Sequence, residues 1–191
     1  MTDQIQNCQR ALDGALKMIE SASPADLEKQ TPCKEWDVRG LIDHMIGVVQ
    51  NFQSGFTGGP PLTTAAGKSI PGQGGDNPAA AYQRAADALL QAIRKPGALD
   101  QTLKLPFGEM PGHQAINIII GDQSIHTWDL GKAIGKPFRM DDDIATGILT
   151  MMHQILQPAF RGEGKGFGEE VPCPESAPVQ DRLLAFSGRH P

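Results

Sequence analysis

Residues 111–134 read PGHQAINIIIGDQSIHTWDLGKAI and form the longest uninterrupted helical pattern in the chain. Pro111 suits a helix's first turn, where its missing N–H costs nothing, and Gly135 with Pro137 supplies the stop. At about 1.5 Å per residue such a helix is roughly 36 Å long. Within it, Gly121-Asp122-Gln123-Ser124-Ile125-His126-Thr127-Trp128-Asp129 sets polar side chains among apolar ones. Asp122 and His126 are four apart, so they lie about 40° apart around the axis and share a face. Asp129, seven beyond Asp122, falls on that face too. A carboxylate and an imidazole stacked this way make a two-point seat for a divalent metal, comparable in geometry to the histidine pair of HExxH.

Working outward, other helices surround this one. Ile5, Cys8, Leu12, Ala15, Leu16 and Ile19 keep helical spacing and predict a helix over 3–22. Asp37 is a good N-cap for a second helix over 37–56, with Val38, Leu41, Ile42, Met45, Val48, Val49, Phe52 and Phe56 as its apolar stripe. Asn77-Pro78 opens a third over 77–94, with Tyr82, Ala85, Leu89, Ala92 and Ile93 facing inward, and Pro96-Gly97 ends it. Asp141, Asp142 and Asp143 crowd the start of a further helix, where the dipole favours negative charge, and its stripe runs from Ile144 to Leu156. Residues 99–107 predict a short extended segment, and no convincing strand ladder is visible. Residues 57–77 are dense in Gly, Pro and Thr and read as a flexible binding loop. Residues 161–191 read as a tail with a short amphipathic piece from Asp181 to Phe186. The pattern is all-α, an antiparallel bundle, and bundle cores commonly house metal sites.

Composition agrees. The 191 residues are 39% hydrophobic, enough for one domain with a real core. The net charge is −5 with no Lys/Arg run, which argues against a nucleic-acid partner. No apolar stretch approaches the roughly 20 residues that span a bilayer, so no membrane partner is expected. Three widely spaced cysteines argue against a disulfide framework and fit a cytoplasmic chain.

A third metal ligand must come from another helix, and His44 is the natural candidate, set between Leu41 and Val48 and so facing inward. Plainer readings stand beside this one. A single His on an apolar face is commonly a hydrogen-bonded core residue, and Asp-x3-His is commonly a helix-stabilising pair. Three interior polar groups together are costly unless mutually satisfied, and a metal would satisfy all three. His113 lies about 180° from Asp122 and belongs to the helix start. His153 sits at the edge of its stripe and is expected to be half-exposed, a candidate neighbour of the site, and His190 is terminal. Cys33, in a Pro-bounded loop without a His at ligand spacing, reads as a small buried thiol in preference to a ligand or nucleophile. Trp36 and Trp128 read as packing anchors. Gly67-Lys68 fails the P-loop spacing, and no Gly-x-Ser-x-Gly marks a serine hydrolase.

The stretch Thr31-Pro32-Cys33-Lys34-Glu35-Trp36-Asp37-Val38-Arg39-Gly40-Leu41-Ile42-Asp43-His44 resembles the TPC-x-x-W-x-V-x-x-L-x-x-H opening of actinobacterial DinB-like proteins. These are related to the metal-binding N-terminal domain of mycothiol-dependent maleylpyruvate isomerase. His126-Thr127-Trp128-Asp129-Leu130 resembles their H-x-W-D-L motif, and Gln180–Phe186 resembles a common ending. The resemblance implies a DinB-like four-helix bundle with an additional C-terminal helix and tail, in a single domain over 1–191. It implies one divalent metal held by His44, Asp122 and His126: zinc first, nickel or iron as alternatives. The isomerase carries Glu where this chain has Asp122.

Three protein ligands leave a fourth position open, as catalytic zinc sites do. The function implied is that of a metal-dependent enzyme using a low-molecular-weight thiol, mycothiol as cosubstrate, in S-transfer or thiol-assisted isomerisation. Asp129 would orient a ligand or replace Asp122 as one. The expected partners are a small-molecule thiol and an electrophile, with a homodimer as the assembly left open. The rivals are a non-catalytic metal- or ligand-binding bundle and a metal-dependent hydrolase.

Overall fold

The computed structural model describes residues 2–62, 70–162 and 167–191. The chain divides into two compact units, Met1–Phe138 and Arg139–Pro191.

The first unit holds four long helices: α1 (Thr2–Glu20), α2 (Val38–Phe56), α3 (Pro78–Ile93) and α4 (Gly112–Ile134). Each packs on two others, α1 on α3 and α4, α2 on α3 and α4, which is the arrangement of a four-helix bundle. The apolar stripes face the shared interior. Leu12, Leu41, Met45, Ile46, Leu89, Ile116 and Ile119 are all 1% exposed or less. Burying each such side chain contributes about 1.5–3 kcal/mol, so the helix pairs are held against one another firmly enough to fix side-chain positions.

The caps explain the helix limits. The Asp37 carboxylate accepts from the Gly40 N–H at 2.7 Å and starts α2. The Asn77 side chain accepts from the Ala80 N–H, with Pro78 as the first residue of α3. Gly135, at φ 73°, takes the left-handed conformation that ends α4 and that a side chain would strain.

One expectation is corrected. A strand lies within 99–107, but it has a partner: β1 (Thr102–Leu105) pairs antiparallel with β2 (Gly108–Pro111), with Leu105 opposite Gly108 and Thr102 opposite Pro111. The β2 sequence, GEMP, has no apolar alternation and buries neither face, so it carries no strand signal. Its register comes from β1, whose Leu103 and Leu105 are buried beside Gly55 of α2.

The second unit contains α5 (Asp142–Ile155) and α6 (Val179–Phe186), which pack on each other. Leu183 and Leu184 are fully buried, and the Gln180 side chain accepts from the Met140 N–H at 2.6 Å. Residues 167–191, set apart as a tail in the sequence, thus share a compact unit with α5. Gly67-Lys68 lies outside the described residues. Among those described, no helix is long and apolar enough to cross a membrane.

Candidate metal centre

α2 and α4 pack together and bring His44, Asp122 and His126 to one point. The His44 Nε2 is 3.2 Å from Asp122 Oδ1, and the His126 Nε2 is 3.7 Å from the same oxygen. One ligand atom from each of the three lies within 4.8 Å of the others. A tetrahedral zinc with bonds of about 2.1 Å spaces its ligand atoms at about 3.4 Å, so this donor set fits a divalent ion. The side chains are 6%, 19% and 12% exposed respectively, so the cluster is sheltered but reachable from solvent at Asp122. Burial alone pushes the Asp122 carboxyl up. The His44 and His126 rings beside it, with hydrogen bonds from His44 and Gln123, outweigh that and hold it below the usual carboxylate range. Asp122 is therefore an ionised, acceptor-only group at neutral pH.

The other nitrogen of His126 looks the opposite way. Its Nδ1 is 3.0 Å from Asp129 Oδ2, and Asp129 is fully buried. A proton carried on Nδ1 would be donated to Asp129 and would leave the Nε2 lone pair for an ion held between His126, Asp122 and His44. The two carboxylates of α4, one face and seven residues apart, thus touch opposite ends of one ring.

Cys33 is placed differently from its expectation. It is half-buried, with Sγ 3.2 Å from Asp129 Oδ2 and 3.7 Å from His126 Nδ1, and it forms a second metal-capable group with those two residues. Helical spacing could not reveal this, because Cys33 precedes α2 in a loop. That loop is closed by Thr31, whose hydroxyl accepts from the Cys33 N–H at 3.1 Å and donates to the Trp36 carbonyl at 2.7 Å. Trp36 also does more than pack. Its ring stacks on His44 at 4.2 Å and meets His126 edge-on at 5.8 Å, so it walls both imidazoles. Trp128, in contrast, is a buried anchor, with Lys132 over its ring.

Three further polar residues lie near the cluster without the sequence having tied them to it. Gln123 and Tyr82, both fully buried, connect to Asp122: the Tyr82 hydroxyl is 2.7 Å from Gln123 Oε1, and Gln123 Nε2 is 2.8 Å from Asp122 Oδ2. Asp43 is buried and accepts from the Gly72 and Gly74 N–H groups at 2.7 Å each, which ties the described end of the 57–77 loop to α2 next to His44. His113 is exposed at the start of α4, and His153 lies in the second unit against Phe186; neither enters a metal-capable group among the described residues.

A helical bundle with an imidazole–carboxylate cluster between two of its helices is the class this geometry defines. The comparisons make it specific. Residues 8–131 match the family model described as the mycothiol maleylpyruvate isomerase N-terminal domain, and the chain belongs to that family. It is 35% identical to an uncharacterized Mycobacterium tuberculosis protein over 187 residues, 98% of each chain, recorded as Rv0738 in strain H37Rv and MT0763 in strain CDC 1551. Among solved structures it is similar to mycothiol-dependent maleylpyruvate isomerase, with a TM-score of 0.65 at 16% identity, covering 87% of this chain and 73% of that one. A histidine-to-alanine mutant of that isomerase matches over the same shares with a TM-score of 0.61 at 14% identity. At such identities these two likenesses concern the fold.

Proposed function

We propose that the protein is a metal-dependent enzyme that uses a low-molecular-weight thiol, mycothiol in this family's setting, against an electrophilic small molecule, in S-transfer or thiol-assisted isomerisation. The observation that carries the reading is the meeting of His44, Asp122 and His126 at ligand spacing, with Asp122 partly open to solvent. These three residues would hold the ion, zinc by preference for a mixed nitrogen–oxygen set. When bound, such an ion supplies Lewis acidity that keeps a coordinated thiol as its nucleophilic thiolate. Asp129 fixes the His126 tautomer, so that Nε2 offers its lone pair towards the site. Trp36 covers the His44 ring and keeps water off that side. Asp43 holds the loop beside His44 where it would wall a thiol pocket.

The test uses cobalt-loaded protein. Adding a small thiol is expected to bring in a sulfur-to-metal charge-transfer band, and its apparent affinity should rise with pH towards the thiol's own pKa of about 8.5, because only the thiolate coordinates. With a generic electrophile present, thiol should be consumed. Loss of an ester or amide without thiol consumption would favour the water-activating hydrolase. A spectrum indifferent to every thiol, with no turnover, would favour a non-catalytic metal- or ligand-binding bundle.

A further inference from the structure

Asp122 is the most exposed of the three cluster side chains, yet both of its oxygens are spoken for. Oδ1 faces the two histidines, and Oδ2 takes the Gln123 amide at 2.8 Å. Neighbours on a helix point about 100° apart and do not ordinarily meet, so this contact is no by-product of helix geometry. Gln123 turns back to make it, and a second contact, 3.3 Å from the Met45 carbonyl of α2, keeps its Nε2 in place. Oxygen and nitrogen of the amide are fixed by proton accounting. An ionised carboxylate and a backbone carbonyl only accept, so the NH2 end must face both of them. The Oε1 end then needs a donor, and the Tyr82 hydroxyl of α3 supplies it at 2.7 Å. Reversing the amide would set its oxygen against two acceptors in a dry interior and cost the chain both of those bonds.

We propose that Gln123 and Tyr82 are positioning residues that keep Asp122 presenting a single oxygen to the metal, so that the centre retains its open position. The inference rests on the reading that His44, Asp122 and His126 bind the ion. A free aspartate can rotate about its last bond and chelate through both oxygens, which would take up the position a substrate thiol needs. The amide prevents this by holding Oδ2, a charge-assisted bond in a sheltered place. Tyr82 acts on Asp122 only through Gln123, and that dependence separates positioning from simple core packing.

The experiment is a cobalt titration of wild type, Tyr82→Phe, Gln123→Met and the double variant, reading the dissociation constant and the visible d–d bands, with the melting of the metal-free proteins followed alongside. Wild type is expected to show the intense bands of a four-coordinate ion. Gln123→Met keeps the side-chain volume and removes the donor. It should lose about 10–100-fold in affinity, the usual range for removing a partner of a ligand, and its bands should weaken as the freed oxygen becomes a fifth donor. Tyr82→Phe should show a smaller loss in the same direction. The double variant should be no worse than Gln123→Met, since the two act in series. Unchanged affinity and bands in Gln123→Met, or a Tyr82→Phe loss that adds in full, would overturn the inference alone. Should Gln123→Met show no cooperative melting, Tyr82→Phe decides, and wild-type bands there count against the proposal. A wild type that takes up no cobalt overturns the ligand assignment itself, and the tether with it.

Discussion

Asp122 and Asp129 are the same residue type on the same helix, seven positions apart on one face, yet they occupy opposite environments. Asp122 sits between two Nε2 atoms and is 19% exposed, whereas Asp129 is fully buried against Nδ1 of His126 and the Cys33 thiol. The difference shows that the face of a helix does not assign a carboxylate's role. Which nitrogen of the intervening histidine it touches does. A carboxylate on Nε2 shares a point with His44 and would there be a ligand in the proposed centre, while one on Nδ1 would orient the ring.

The largest expected effect removes the shared ring or its partner. His44→Ala or His126→Ala should abolish most zinc binding in calorimetric titration, and His113→Ala should leave it intact, because His113 stands exposed at the far end of α4. Equal losses from all three variants would mean the site is elsewhere. The two aspartates come next. Asp122→Asn should empty the site nearly as completely, whereas Asp129→Asn should weaken zinc by about 10–100-fold while leaving it measurable. The reverse order would exchange their roles.

Cys33 gives a finer test of the Nδ1 side. With Cys33 there, cobalt-loaded protein without added thiol should lack a sulfur charge-transfer band, and Cys33→Ala should cost only a few-fold in affinity; a strong band removed by that substitution would make Cys33 a ligand. A small thiol reagent at pH 8 should label Cys33 and Cys173, both half-buried, before Cys8, which is fully buried and whose thiol burial pushes up to about 12. Cys8 reacting at their rate would contradict the packing of α1. The smallest effect belongs to the cap that starts α2, the helix that carries His44. Asp37→Ala should cost about 1 kcal/mol in urea unfolding and little in zinc affinity. A large affinity loss there would show that the α2 start controls the His44 ring directly.

The helices of the bundle were legible because each keeps an apolar stripe at a 3.6-residue period and ends on Pro, Gly or a capping side chain. The same arithmetic carried Asp122 and His126 to one face, and the interior position of His44 brought in the second helix. What stayed hidden has a common cause. Cys33 and Trp36 reach the cluster from a loop shaped by Thr31, where no periodicity applies. Tyr82 was visible as an inward residue, but its hydroxyl finds a partner 41 residues away, and nothing along the chain encodes that meeting. β2 was missed because a four-residue segment with Gly at one end and Pro at the other is paired by its neighbour, not by its own composition.

The Thr31 clasp has a consequence for how the centre comes into being. Its bonds span two and five residues, so Cys33 and Trp36 can be arranged locally, next to the start of α2. The contact from Cys33 to Asp129 spans 96 residues and exists only once α2 has docked on α4. One half of the centre is thus a short-range structure and the other a product of tertiary assembly. An ion held by His44 of α2 together with Asp122 and His126 of α4 would act as a cross-link between those two helices, and its binding free energy would appear as resistance of the bundle to opening along the α2–α4 seam. Metal uptake during refolding would then mark the moment at which that seam closes.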